Sequence, residues 1–65
     1  MGGATLSEML TSREVAAYLR VPLSTIYLWH KAGGGPRRIK VGKHVRYLRA
    51  DLEAWLERHA VSEVA

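Results

Sequence analysis

A proline at position 22 divides the longest stretch of helical patterning in the chain and leaves almost no room for a loop. Residues 10–31 read LTSREVAAYLRVPLSTIYLWHK. Pro22 drives Val21 out of the helical region, so a first helix must stop by about Arg20. The same ring lacks the N–H that a first helical residue leaves unused, so Pro22 can open the next helix. At the upstream end, Thr11 can accept from the backbone N–H of Glu14, Glu14 can reach back to Thr11, and Leu10 can pack on Val15 across the cap. Val15, Ala16 and Leu19 then form a stripe at helical spacing. In the second helix, steps of about 100° per residue turn Ile26 and Trp29 inward with Leu23 and His30 beside them. Ser24, Tyr27, Leu28 and Lys31 point out, and Thr25 lies at the edge.

An ordinary helical hairpin would also carry two capped amphipathic helices. The joint spacing separates the two readings: apolar Val15, small Ala16, apolar Leu19, a one-residue turn at Arg20, apolar Val21, then Ile26 and Trp29. These positions predict two helices at a steep angle with a close contact at Ala16, so that the second helix projects as a DNA-reading helix does. Arg20 stands where such turns often carry glycine, and a bulky residue there is strained if its φ is positive.

The formal charge of +4 understates how one-sided the chain is. Between Val15 and Ala50 there is no acidic residue, while Arg20, Lys31, Arg37, Arg38, Lys40, Lys43, Arg46 and Arg49 all fall inside. The carboxylates lie outside, at Glu8, Glu14, Asp51, Glu53, Glu57 and Glu63. A surface charged only for solubility would mix both signs, whereas a one-signed field suits a polyanion.

The remaining segments frame this centre. Sixty-five residues hold one small domain, and with no cysteine there is no disulfide to supplement its core. Residues 1–9 show neither cap nor period and are expected to be a flexible segment, although Leu6 and Met9 could fold back on the core. Residues 10–60 form the domain and 61–65 a short tail. With no basic leader and no long apolar run, the protein is expected to be soluble, without membrane association, and cytoplasmic. After the second helix, Ala32-Gly33-Gly34-Gly35-Pro36 ends the helix and prevents its resumption. A phosphate-cradling loop would need a following lysine and hydroxyl and a preceding strand; a hinge fits better.

Residues 37–48, RRIKVGKHVRYL, alternate apolar and basic residues around Gly42 and predict a β-hairpin. A two-residue turn would put Ile39 and Val41 on one face and Val45 and Tyr47 on the other. A three-residue turn pairs Val41 with Val45 and Ile39 with Tyr47, gathering the apolar residues and leaving Arg38, Lys40 and Arg46 opposite. The second register is expected, although glycine usually comes last in such a loop and here comes first. Such a basic ribbon, with Lys43 and His44 at its tip, has the shape of a wing; a plain stabilising hairpin with charged edges is the alternative. Residues 49–60 predict the last helix. Asp51 and Glu53 lie in its first turn, Arg58 in its last, and Leu52, Trp55, Leu56 and His59 fall on one stripe. Trp29 and Trp55 are expected in the core. The fold class is thus mainly α with a small β-hairpin, a winged helix-turn-helix.

Catalysis is not expected. His30, His44 and His59 are widely spaced with no cysteine near them, so neither a metal site nor a cofactor is implied. No nucleophile has a base and orienting partner at a familiar spacing.

The pieces LTSREVAAYLRVPLSTIYLW, IKVGKHVRY and ADLEAWL, in that order, resemble the small winged-helix domains of the excisionase and MerR-like superfamily. Within it the chain is most similar to stand-alone excisionases, the recombination directionality factors of actinobacterial phages and integrated elements. A MerR-type regulator would continue into a long dimerisation helix and an effector domain. The resemblance implies a DNA-binding and DNA-bending protein of the bacterial host cell, nucleoid-associated, that directs a tyrosine integrase toward excision. It implies that Ser24, Thr25, Tyr27, Leu28 and Lys31 lie in the major groove of double-stranded DNA. Lys43, His44 and Arg46 would follow the adjacent backbone or minor groove, with Arg38 and Lys40 on the same basic ribbon. Arg13, Arg20 and Arg37 would hold phosphates, which positions a domain without reading sequence. Leu28 stands where relatives often carry arginine, and an apolar side chain there suits a thymine methyl.

Three readings remain open on the residues alone: excisionase, small transcriptional regulator, and a protein-interaction module in which Tyr27 and Leu28 meet a partner helix. One short helix and one wing cover little DNA. Copies are therefore expected to add head to tail on directly repeated sites, the basic wing of one meeting Glu53, Glu57 or Glu63 of the next.

Overall fold

The computed structural model describes residues 8–61. Six elements follow in order: β1 (Met9–Thr11), α1 (Ser12–Leu19), α2 (Leu23–Ala32), β2 (Ile39–Val41), β3 (His44–Leu48) and α3 (Arg49–Arg58). The expectations for Leu6 and Glu63 fall outside the described residues. No helix among the described residues is long and apolar enough to cross a membrane.

The start of α1 follows from its capping residues. Thr11 Oγ1 accepts from the Glu14 N–H at 3.0 Å, and the Glu14 carboxylate accepts from the Thr11 N–H at 2.8 Å. This reciprocal cap satisfies two backbone donors that the first turn would otherwise leave without partners. At the other end, the Val21 N–H donates to the Ala16 carbonyl at 3.0 Å and the Arg20 N–H to Ala17 at 3.2 Å. That pairing closes a helix through one left-handed residue, and Arg20 takes that conformation at φ 59°, ψ 45°. Pro22 is extended and caps α2 rather than forming its first turn; its carbonyl accepts from Thr25 at 2.9 Å. The reason is that Val21 and Pro22 together complete the turn, which leaves Leu23 as the first residue free to adopt helical angles.

A side chain in the left-handed region costs about 1–2 kcal/mol that glycine avoids, while glycine adds up to about 1 kcal/mol of unfolded-chain entropy. Arg20→Gly is therefore expected to stabilise the domain by roughly 0.5–1 kcal/mol, a rise in Tm of roughly 2–8 °C by circular dichroism. A lower Tm would show that the arginine side chain stabilises the turn by more than its backbone strain costs.

The hairpin adopts the register that apolar gathering disfavoured. Ile39 pairs with Arg46, Lys40 with Val45 and Val41 with His44, so the loop is Gly42-Lys43. Gly42 has φ 62°, and a positive φ at the first of two loop residues is what a tight hairpin turn of this kind requires. Turn chemistry prevails, and Val41 is left 49% exposed as a result. Arg46 consequently lies on the opposite face from Arg38 and Lys40. The apolar row expected from β2 comes instead from β1, which pairs antiparallel with the other edge of β3 and sets Leu10 opposite Tyr47. The sheet has three strands in the order β1-β3-β2, and ordered pairing begins at Met9 rather than after it.

Leu10, Val15, Ala16, Ile26, Tyr47 and Leu52 form the buried core. Val15, Ile26 and Leu52 are fully enclosed and Tyr47 is 1% exposed. Ala16 provides the close approach of α1 to α2. The tryptophans do not lie inside. Trp29 and Trp55 are half-buried, pack on the cluster from its rim and meet each other with ring centroids 5.1 Å apart. The indoles are displaced because Leu10 of β1 and Tyr47 of β3 close the centre, leaving the wide rings to cover the seam between α2 and α3. The last helix ends at Arg58, two residues early, where His59 turns back to stack on Trp55 at 4.3 Å, its Nδ1 2.9 Å from the Trp55 carbonyl.

The glycine segment is a packed joint rather than a hinge. Gly33 is left-handed at φ 79°, and the Gly34 N–H donates to the Trp29 carbonyl at 2.9 Å. Gly35, at φ 85°, lies so close to Trp29 that a Cβ there would come within 3.0 Å of the indole's own Cβ. Pro36 is buried. Glycine is needed here for close approach, which the sequence pattern could not distinguish from looseness.

Candidate nucleic-acid interface

The residues that anchor α2 also determine what it presents. With Ile26 enclosed and Trp29 on the seam, the opposite face carries Ser24, Tyr27, Leu28 and Lys31 to the surface, and Thr25 is half-buried at its edge. Tyr27 is 54% and Leu28 61% exposed.

An open cleft of about 310 Å³ runs between the start of α1, the flank of α2 and the hairpin. Thr11, Ser12 and Arg13 line it from one side, Tyr27 and His30 from the helix, and Lys43, His44, Val45 and Arg46 from the hairpin. Among the described residues no carboxylate lines it. Glu14 is near in sequence, but its carboxylate is held on the Thr11 N–H. Arg46 is half-buried and steadied by donating from Nη1 to the Val45 carbonyl at 2.9 Å.

The other basic residues are placed differently. Arg37 pairs with Asp51 at 3.1 Å. Arg49 pairs with Glu8 at 3.2 Å and Glu53 at 4.0 Å, and its guanidinium lies 5.5 Å from the centre of the Tyr18 ring. Exposed pairs like these contribute little stability, but they offset two of the positive charges counted in the sequence. Arg20, Arg37 and Lys40 do not line the cleft, and Arg38 acts on it through its charge. Of the basic residues singled out in the sequence, Arg13, Lys43, His44 and Arg46 are thus brought together beside α2.

His30, which lines the cleft, meets Tyr47. The His30 Nε2 and the Tyr47 hydroxyl are hydrogen-bonded, and their rings stack with centroids 6.1 Å apart. The Ser12 hydroxyl bonds the same Tyr47 oxygen. Burial, with a smaller effect from the Arg38 charge, holds the His30 pKa below the ordinary histidine value. Burial also raises the Tyr47 pKa, against the opposing effects of the Ser12 hydrogen bond and Arg38. The pair joins α2 to β3 and α1 beneath the cleft. Only tertiary placement brings positions 12, 30 and 47 together; the one sequence signal was a polar ring at the border of an apolar stripe.

A helix-turn-helix whose second helix keeps one face open, beside a basic hairpin and across a cleft that no carboxylate lines among the described residues, defines a small DNA-binding domain of winged form. The family model described as "Helix-turn-helix domain" matches residues 9–60, and the chain belongs to that family. Neither the curated proteins nor the solved structures give a match to it.

Proposed function

We propose that this protein is an excisionase: a DNA-binding and DNA-bending factor that directs a tyrosine integrase toward excision. The observation that carries the DNA-facing part is the juxtaposition of the exposed face of α2 with Arg13, Lys43, His44 and Arg46 across the cleft. In this reading Ser24, Thr25, Tyr27, Leu28 and Lys31 enter the major groove, and Leu28 meets a thymine methyl. Lys43, His44 and Arg46 follow the neighbouring backbone or minor groove, and Arg13 holds a phosphate. Arg20, Arg37, Arg38 and Lys40 supply the wider positive field.

The excisionase role itself rests on the likeness of residues 10–56 to that superfamily and on charge placement. Glu53 and Glu57 lie on α3 while the hairpin tip is basic, so copies in one orientation present opposite signs to each other. Contacts of that kind repeat without closing, and small deformations at each copy add to a bend. Duplexes carrying one, two or three directly repeated sites are expected to show cooperative binding and a bend that grows with site number. Independent binding to unbent DNA, or a stable two-fold dimer in free solution, would favour a transcriptional regulator instead. Lys43→Glu is expected to weaken binding to all sequences alike, whereas Leu28→Arg should change which sequence is preferred. Identical behaviour of the two variants would overturn the assignment of helix and wing.

A further inference from the structure

His30 lines the cleft, yet it lies at the edge of the inward stripe of α2, and its hydrogen bond to Tyr47 fixes the recognition helix to the central strand. The charged and titratable groups around it are Arg13 from α1, Tyr27 on its own helix, Arg38 ahead of β2, and Lys43, His44 and Arg46 from the hairpin. In the free protein burial, and after it the Arg38 charge, opposes a positive charge on His30 and lowers its pKa. A phosphate seated in the cleft reverses the local field. The imidazolium is then favoured by the anion and by the Tyr47 oxygen together.

We propose that His30 is a proton-linked positioning residue for DNA, taking up a proton as a backbone phosphate enters the cleft and thereby holding α2 and the hairpin at the spacing the phosphate bridges. The inference rests on the DNA-binding reading above. The Tyr47 oxygen accepts from the Ser12 hydroxyl and keeps a second lone pair for a His30 Nε2–H. Imidazolium donates from both ring nitrogens, so protonation leaves this chain intact and adds a charge beside the phosphate.

The sign of the linkage follows. Binding raises the His30 pKa above its free-state value, so affinity is greatest below the free-state pKa and falls as pH rises through the bound-state pKa. Folding has the opposite dependence. The folded-state pKa lies below the ordinary value of 6.5, so the His30 contribution to stability is full above that value and is lost as pH falls below it. Acidification thus tightens the complex while weakening the free fold.

The test is an NMR titration of the three imidazoles in the wild-type protein, free and saturated with a short mixed-sequence duplex, together with duplex affinity measured between pH 8 and 6. His30 is expected to titrate below 6.5 when free and to move upward in the complex. Affinity should rise roughly three- to tenfold over that range, since one linked proton changes it at most tenfold per pH unit. His30→Gln should remove at least half of this rise. A His30 pKa unmoved by the duplex, or an undiminished pH dependence in His30→Gln, overturns the proposal while leaving the DNA-binding reading standing. Failure to bind the duplex at any pH contradicts that reading, and this proposal with it.

Discussion

Leu52→Ala is expected to leave the domain largely unfolded at room temperature. Leu52 is fully enclosed, the one residue of α3 in the buried cluster, and lies with Tyr47, Ile26 and Val15 at the centre of the core. Truncating an enclosed leucine costs roughly 2–5 kcal/mol, the transfer energy of the lost methyl groups plus that of the cavity they leave. A core of this size rarely supplies more than about 3–5 kcal/mol, and the chain has no cysteine to add a crosslink. Trp55→Ala removes a larger side chain but a half-buried one, and at about 25 cal/mol per Å² roughly half of a tryptophan's buried area corresponds to about 2–3 kcal/mol. Urea unfolding of both variants should therefore rank leucine above tryptophan. The reverse order would mean that the tryptophan seam, and not the cluster beneath the sheet, closes the fold.

That ranking marks where sequence and structure part. Helix α1 and the two-helix turn were legible because each boundary has a local chemical cause: the Thr11 and Glu14 cap at one end, the conformational restriction imposed by Pro22 at the other. The faces of α2 followed from periodicity, since Ile26 is enclosed while Tyr27 and Leu28 are open. Strand β1 was not legible, because three residues are too few to show a period and Leu10 reads equally well as a staple for α1. Its omission misplaced the rest of the sheet. Without Leu10 opposite Tyr47, the apolar face of β3 had no partner except β2, which made the wrong hairpin register attractive and hid Tyr47 as the largest enclosed side chain.

The candidate interface shows the same division. Lys43, His44 and Arg46 could be gathered from the basic hairpin pattern and Arg13 from the family resemblance, and the four line one cleft. Which cations are offset could not be read. Arg37 meets Asp51 and Arg49 meets Glu8 only through the way α3 and the sheet come together, whereas Arg49 and Glu53 are an i,i+4 pair within α3. The field is consequently narrower than the acid-free stretch of sequence implied, and centred on the cleft.

On the proposed reading this surface grips the phosphates of a duplex. Arg13, Lys31, Lys43, Arg46 and neighbouring cations could engage about four to six phosphates, each releasing condensed counterions on contact, so log Kobs should fall against log salt with a slope of about −4 to −5. Between 50 and 200 mM salt that corresponds to a loss of roughly 250- to 1,000-fold in affinity. The most direct measurement is duplex affinity by fluorescence anisotropy across such a salt series at fixed pH. A slope in that range supports the account. A slope near zero, or binding of a protein helix through Tyr27 and Leu28 with no affinity for the duplex, would contradict it.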